Sequence, residues 1–539
     1  MTNLPDGDVS RRDLLRYGAR GAALLAGSGL LAACGGSSLS SVGAGAVSGP
    51  SAGGSPIRGG TLRIGVLSAG ASETVDVRKA VNTPDFARVF NLYDPLFQQV
   101  PGGVAPGLAT SAESSRNATL WTLKLRDGVT FHNGKPFTAD DVVYTIRTWG
   151  TAASNYQAQA TALIDLKSVR KLDRLTVEIP VLRPFAAFEA FTAWWTAVVV
   201  PDGMTNFNRP IGTGPFRFGS FTPGSSSTFS ANPDYWRGRP YVDALVVDSS
   251  FTDEAARLNA LLGGQVDISP GVPPALAKAN ANSGGLVLGN SPGPAMVAVV
   301  MRVDVPPFND PRAVQAFKLA IDRHAVLTDA FNGYATMGND APGATLKYWA
   351  SDIKPEYDPE RARALLKQAG RENLSLPLYT AETLPGQNET ASIVSANLKA
   401  IGVNAPVSLL PVSTYYTSSS PGYMSDQRQL STTYWNVVQP ALGGFYDSAL
   451  TPGGQFNETG WGHGAGQETL INAAAGETDP AKAQARWHAA QEQQVQQGGY
   501  LIPVFFDYVD AYAPNVHGVV TNQAGNNANY VYYKGWLAK

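Results

Sequence analysis

Cysteine is almost missing from this 539-residue chain, which has one, Cys34. A lone cysteine forms no internal disulfide, so the folded body must stand on burial alone. Charge is also sparse: charged residues make up 16% and the formal net charge is −2. Nucleic acid calls for a basic face, so no nucleic-acid partner is expected. Histidine is scarce, with five residues. His132, His324, His463, His488 and His517 are scattered and form no His-x-x-x-His pair. A zinc site is therefore poorly supported, and neither a metal nor a cofactor is expected. The chain has no Gly-x-Ser-x-Gly elbow. Gly134-Lys135-Pro136 lacks the spacing of a phosphate loop, and Gly212-x-Gly214 and Gly462-x-Gly464-x-Gly466 lack that of a dinucleotide fingerprint. Tight turns explain them better. Asp140-Asp141 reads as a helix N-terminus, not as an acid/base couple. No catalytic constellation is left, and the chain is not expected to be an enzyme.

What is present is globular. Apolar residues reach 44%, with 56 Gly, 37 Pro, 10 Trp, 21 Tyr and 21 Phe. The length exceeds one hydrophobic core and suggests at least two domains. Ser10-Arg11-Arg12-Asp13-Leu14-Leu15 resembles a twin-arginine export signal, with an ordinary charged n-region of general secretion as the alternative. An apolar stretch from Gly18 to Leu31 follows, too short for a comfortable membrane span. It ends in Leu31-Ala32-Ala33-Cys34-Gly35, which resembles the bacterial lipobox. Cys34 is then the lipidated first residue of the mature chain. The expected location is the outer face of the cytoplasmic membrane. Two acyl chains hold a protein there where one does not. Residues 35 to 57 carry Gly, Ser, Ala and Pro, and read as a flexible tether. No later apolar run approaches the ~20 residues that span a bilayer.

The body mixes strands and helices. Thr61 to Val66 and Leu120 to Arg126 alternate as strands do, and Val169 to Ile179 reads as a hairpin turning near Asp173-Arg174. Helix starts are legible. Thr138-Ala139-Asp140-Asp141 has the form of a capping box. Asp310-Pro311, Asp358-Pro359 and Asp479-Pro480 each place a capping carboxylate before a proline at the first helical position. A further helix is expected from about Thr390 to Ile401, feeding a strand from Val403 to Leu410. Periodicity yields an α/β or α+β protein and no function.

The run from Trp121 to Tyr144, WTLKLRDGVTFHNGKPFTADDVVY, resembles the signature of the family 5 extracellular solute-binding proteins. These are oligopeptide, dipeptide and nickel receptors of bacterial ABC importers. Arg58 to Arg63, Asn91 to Leu96, Val104 to Ala109, Gly212 to Phe216, Asn232 to Trp236, Leu258 to Asp267, Asp310 to Phe317, Ala320 to Arg323 and Tyr357 to Leu366 are similar to further landmarks of that family. The resemblance implies an α/β, two-lobed periplasmic-binding-protein-like fold. Lobe I would hold residues 58–300 and 509–539, with an inserted subdomain at about 80–210, and lobe II residues 301–508. The crossovers would lie near Met296–Met301 and Leu501–Tyr512. The implied function is capture of a solute in an interlobe cleft for ABC permease subunits, by a monomer.

In peptide-binding members, a segment resembling Trp-x-Ala-Asp-Tyr carries an acid that pairs with the peptide's free amine. The corresponding stretch here is Tyr434-Trp435-Asn436-Val437-Val438-Gln439-Pro440, with Val438 in the acid's place. Asp447, next to Tyr446, is a substitute if the loop shifts. The candidate ligand-binding residues are therefore Trp435, Asn436, Gln439, Tyr446 and Asp447, against the alternative that they simply pack the loop. A neutral cleft of rings and amides suits an uncharged polar ligand such as a saccharide. A chelated nickel ion, a secreted glycoside hydrolase and a purely structural lipoprotein are the other readings.

Overall fold

A computed structural model describes residues 54–100, 103–115, 117–193, 197–416, 428–435, 442–452, 454, 456–461, 466–519 and 532–539. Lobe I grows from the strand Thr61–Leu67, whose Leu62, Ile64 and Val66 are fully buried. This strand pairs in parallel with Ala244–Phe251 on one side and Ile268–Ser269 on the other. Seven strands result, in the order Val287–Ser291, Tyr508–Tyr512, Ile268–Ser269, Thr61–Leu67, Ala244–Phe251, Ser226–Ala231, Phe216–Thr222. The helix Thr83–Leu92 starts with a capping box between Asn82 and Asp85. Its Phe86, Val89 and Phe90 join the lobe I core beside Leu62 and Ile64.

That helix falls inside the span 80–210 expected for the inserted subdomain, yet it packs with lobe I. The subdomain's own core runs from Leu96 to Val199. Its antiparallel sheet has the order Ala109–Ser114, Leu120–Leu125, Thr176–Pro180, Arg170–Asp173, beside a hairpin of Phe97–Val100 and Gly103–Pro106. The helix Ala139–Trp149 closes it, with the capping box between Thr138 and Asp141 that the sequence foretells.

Lobe II has six strands, in the order Ala335–Met337, Tyr500–Phe506, Met296–Met301, Leu430–Trp435, Leu378–Thr380, Val407–Leu409. Side chains alternate across a strand, and this sheet is buried on both faces. Val297, Val299 and Met301 therefore enter one core with the helices Pro311–Ala320, Pro359–Gln368 and Gln387–Ala400. Met296, Ala298 and Val300 enter another with Leu442–Ala449, Gln467–Ala475 and Pro480–Gln497. Each Asp-Pro start is a real cap. Asp310 accepts from the Arg312 amide at 2.9 Å, Asp358 from Arg361 at 2.9 Å, and Asp479 from Lys482 at 3.0 Å.

The crossovers are tighter than expected. Met296–Met301 and Tyr500–Phe506 are already central lobe II strands, and Tyr508–Tyr512 belongs to lobe I. The chain passes between lobes at residues 292–295 and at Asp507. Asp507 accepts from the Asn290 amide at 2.8 Å. Burial pushes the Asp507 and Asp510 carboxyls up to about 6. A carboxyl raised on folding costs stability above its folded value and releases that cost below it. The contribution of these two groups should therefore grow as pH falls from 7 to 5. Urea midpoints at the two pH values should show a smaller rise, or a fall, in an Asp507→Asn/Asp510→Asn variant.

Candidate functional site between the lobes

Two walls face each other across the lobe boundary. The subdomain contributes the segment from Arg183 to Ala190. It is fixed from beneath: the Trp121 indole donates to the Phe185 carbonyl at 3.2 Å and stacks on Phe188 at 5.4 Å. Lobe II contributes the start of the helix Leu442–Ala449, the turn from Ala475 to Pro480, and Lys347-Tyr348. Two hydrogen bonds among the described residues join the walls. The Ala186 amide donates to the Ala475 carbonyl at 2.7 Å. Arg183 donates to Asp447 at 2.5 Å. Between the walls lies a cavity of about 570 Å³ lined by Trp121, Phe185, Glu189, Lys347, Tyr348 and Trp487, among others.

Trp435 ends the strand Leu430–Trp435, and its pairing with Met296 sets it at the hinge end of lobe II. The half-buried ring is held from three sides. Its indole donates to Glu458 at 2.8 Å, and its faces meet Phe445 at 4.7 Å and Phe456 at 5.8 Å. The Tyr500 hydroxyl donates to the same Glu458 oxygen at 3.0 Å. Burial raises the Glu458 carboxyl, against the pull of these donors. Glu458 thus orients Trp435 from below.

Tyr446 is fully buried, and its ring meets Trp487 at 5.4 Å, edge to face. It stands in the lobe II core behind the wall. Asp447, one residue on, points the other way and pairs with Arg183. Burial raises its carboxyl while Arg183 lowers it. Asn436, Val438, Gln439 and Cys34 lie outside the described residues. Sequence reasoning missed Arg183, Glu189, Lys347 and Glu458. Each is a polar residue in a loop or at a helix end, with no periodic signal and a partner or counterwall far along the chain.

The Arg183–Asp447 pair holds the walls together at a partly exposed site, so its worth is at most about 1 kcal/mol. Asp447→Asn should shift the lobes toward opening in solution. Small-angle scattering of the solute-free variant should show a larger radius of gyration than the parent chain.

The model for bacterial extracellular solute-binding proteins, family 5 middle region, matches residues 103–457, well over half of the chain. The chain belongs to this family. A glutathione-binding protein of Pectobacterium atrosepticum is 27% identical over 402 residues, 72% of this chain and 77% of that protein. Di/tripeptide-binding protein 2 of Pseudomonas aeruginosa is 28% identical over 379 residues, 64% of this chain and 71% of that protein. Among solved structures, the periplasmic binding protein DppA of Helicobacter pylori, in complex with the peptide STSA, superposes with a TM-score of 0.72 at 21% identity. It covers 90% of this chain and 99% of its own. The substrate-binding protein CtaP of Listeria monocytogenes superposes at 0.79 and 21% identity, over 89% of this chain and 100% of its own. These likenesses establish the two-lobed fold expected from the sequence. The chain's relatives are substrate-binding proteins, not enzymes. Among its described residues, no helix is long and apolar enough to cross a membrane.

Proposed function

We propose that this solute-binding protein is an exported lipoprotein that captures a short peptide-type solute between its lobes and delivers it to the permease subunits of an ABC importer. The observation that carries the reading is the cavity of about 570 Å³ with walls from both lobes. Its volume is within the range of small-molecule sites, roughly 300–1,000 Å³. A ligand touching both walls stabilises the closed hinge state over the open one, and that difference is the signal a transporter can read. The names of the relatives favour peptides and glutathione over saccharides. Trp435 supplies an aromatic ring at the hinge end of lobe II, and Asn436 and Gln439 are proposed as further polar contacts on sequence grounds alone.

The test is a thermal-shift screen of the intact protein with short peptides, glutathione, saccharides and nickel chelates. A ligand at 100 times its Kd adds about 2.7 kcal/mol of stability. Stabilisation by peptides or glutathione is the expected result. Stabilisation by saccharides alone would overturn the peptide reading and revive the neutral-cleft one. The anchor is tested separately. Cells fed labelled palmitate should label the native chain and not Cys34→Ala. Arg11→Lys/Arg12→Lys should block export if the twin-arginine route is used.

A further inference from the structure

Opposite charges face the interlobe cavity from opposite lobes. Glu189 is half-buried on the subdomain wall, and Lys347 is exposed on the lobe II wall, beside the Tyr348 ring at 4.8 Å. Among the described residues, no hydrogen bond or ion pair engages the Glu189 carboxylate or the Lys347 ammonium. The third charge on the cavity differs, because Glu477 is already paired with Arg486 at 3.1 Å. The lining also carries the rings of Trp121, Phe185 and Trp487. Partial burial raises the proton affinity of the Glu189 carboxylate, and the Lys347 charge across the cavity lowers it without a direct contact. An entering cation removes that penalty. Asp447 is committed to Arg183.

We propose that the cavity is a subsite for a short zwitterionic peptide, whose free amine pairs with Glu189 and whose terminal carboxylate pairs with Lys347. This rests on the peptide reading above and adds the anchoring groups. Each charged end engages a different lobe, so the ligand itself bridges the closed state. A charge-assisted pair at each end is stronger and more selective than contacts with the apolar lining alone. A ligand lacking either charge leaves one wall's charge unpaired in a partly dehydrated cavity.

The probe is a randomised tripeptide pool, used free, N-acetylated and C-amidated, read as the thermal shift of the intact protein. The free pool should raise Tm clearly, and either end-block should remove more than about half of that rise. Glu189→Gln should lose the advantage of the free amine, so free and acetylated pools give equal shifts. Lys347→Gln should do the same for free and amidated pools. Both residues are at the cavity surface, and unchanged circular dichroism will show that the variants fold. If the free pool binds the parent chain and both variants keep its end-group preferences, this subsite is wrong while the peptide reading stands. If the free pool never shifts Tm and saccharides do, both fail together.

Discussion

Arg88→Met is expected to lower the unfolding free energy by about 3–5 kcal/mol, the usual loss when one member of a buried ion network is removed. Arg88, Glu73 and Asp85 have fully buried side chains in lobe I. The guanidinium donates to Glu73 at 2.6 Å, Asp85 at 3.3 Å, Ser227 at 2.8 Å and Ser249 at 3.1 Å. Its face lies over Phe221 at 4.7 Å. Glu73 also takes the Ser249 hydroxyl at 2.8 Å, and Asp85 takes the Thr74 amide at 2.8 Å. Methionine fills much of the volume but leaves two carboxylates in the core without their cation. Burial already raises the Asp85 carboxyl, and losing Arg88 removes the charge that lowers it. Asp85 should then take up a proton in the variant, so the loss should shrink between pH 7 and pH 5. Urea melts at both pH values check the size and the slope. A control is Arg170→Met, whose pair with Glu178 is on the surface. It should cost no more than about 1 kcal/mol.

Much of this architecture was readable because its signals are local. A cap needs a carboxylate and an amide two or three residues apart, so Thr138, Asp310, Asp358 and Asp479 announce their helices in sequence. The crossovers were less legible for a physical reason. A strand covered on both faces is a continuous apolar run, and so is a chain passing between sheets. Met296–Met301 is such a run, and it is a central strand. The helix Thr83–Leu92 packs in the lobe I core and not in the subdomain, and no local signal marks this because its partners, Leu62 and Leu245, are distant in sequence. Tyr446 and Asp447 show the limit at the site itself. Successive helical residues point about 100° apart, so one enters the core against Trp487 while its neighbour reaches Arg183, 264 residues away. Family resemblance points to this stretch as a loop beside the site, but the helix Leu442–Ala449 and the facing of its side chains emerge only in the structure. Glu458 gave no signal at all, since a glutamate in a polar loop looks solvated until Trp435 and Tyr500 are seen to cover it.

Asp94→Ala is expected to cost about 3 kcal/mol or more, because it strands two buried donors and one half-buried one at roughly 1–3 kcal/mol each. Three motifs that are far apart in sequence meet on this carboxylate. The Thr213 hydroxyl, the Tyr235 hydroxyl and the Trp236 indole all donate to it, each at 2.9 Å. The contact requires Gly212 and Gly214 to lie against the chain at Leu92. A Cβ on Gly212 would come within 2.0 Å of the Leu92 oxygen. His132 fastens the far side, with its Nε2 at 3.0 Å from the Gly214 oxygen and its Nδ1 accepting from the Gly212 amide at 3.3 Å. Burial holds this ring neutral down to about 4, so the clasp survives mild acid. Asp94→Asn should retain most of the stability. An amide oxygen can still accept from Thr213 and Trp236, while its NH₂ donates to Tyr235, whose hydroxyl can turn to accept. The Ala/Asn comparison in urea melts therefore separates loss of the acceptors from loss of the charge. The effect should also reach the site. Asp94 stands at the root of the hairpin Phe97–Val100 and Gly103–Pro106, which supplies Val100 and Val104 to the interlobe cavity. A loosened root lets that wall move, so Asp94→Ala should weaken solute binding even below its melting temperature, whereas Asp94→Asn should not.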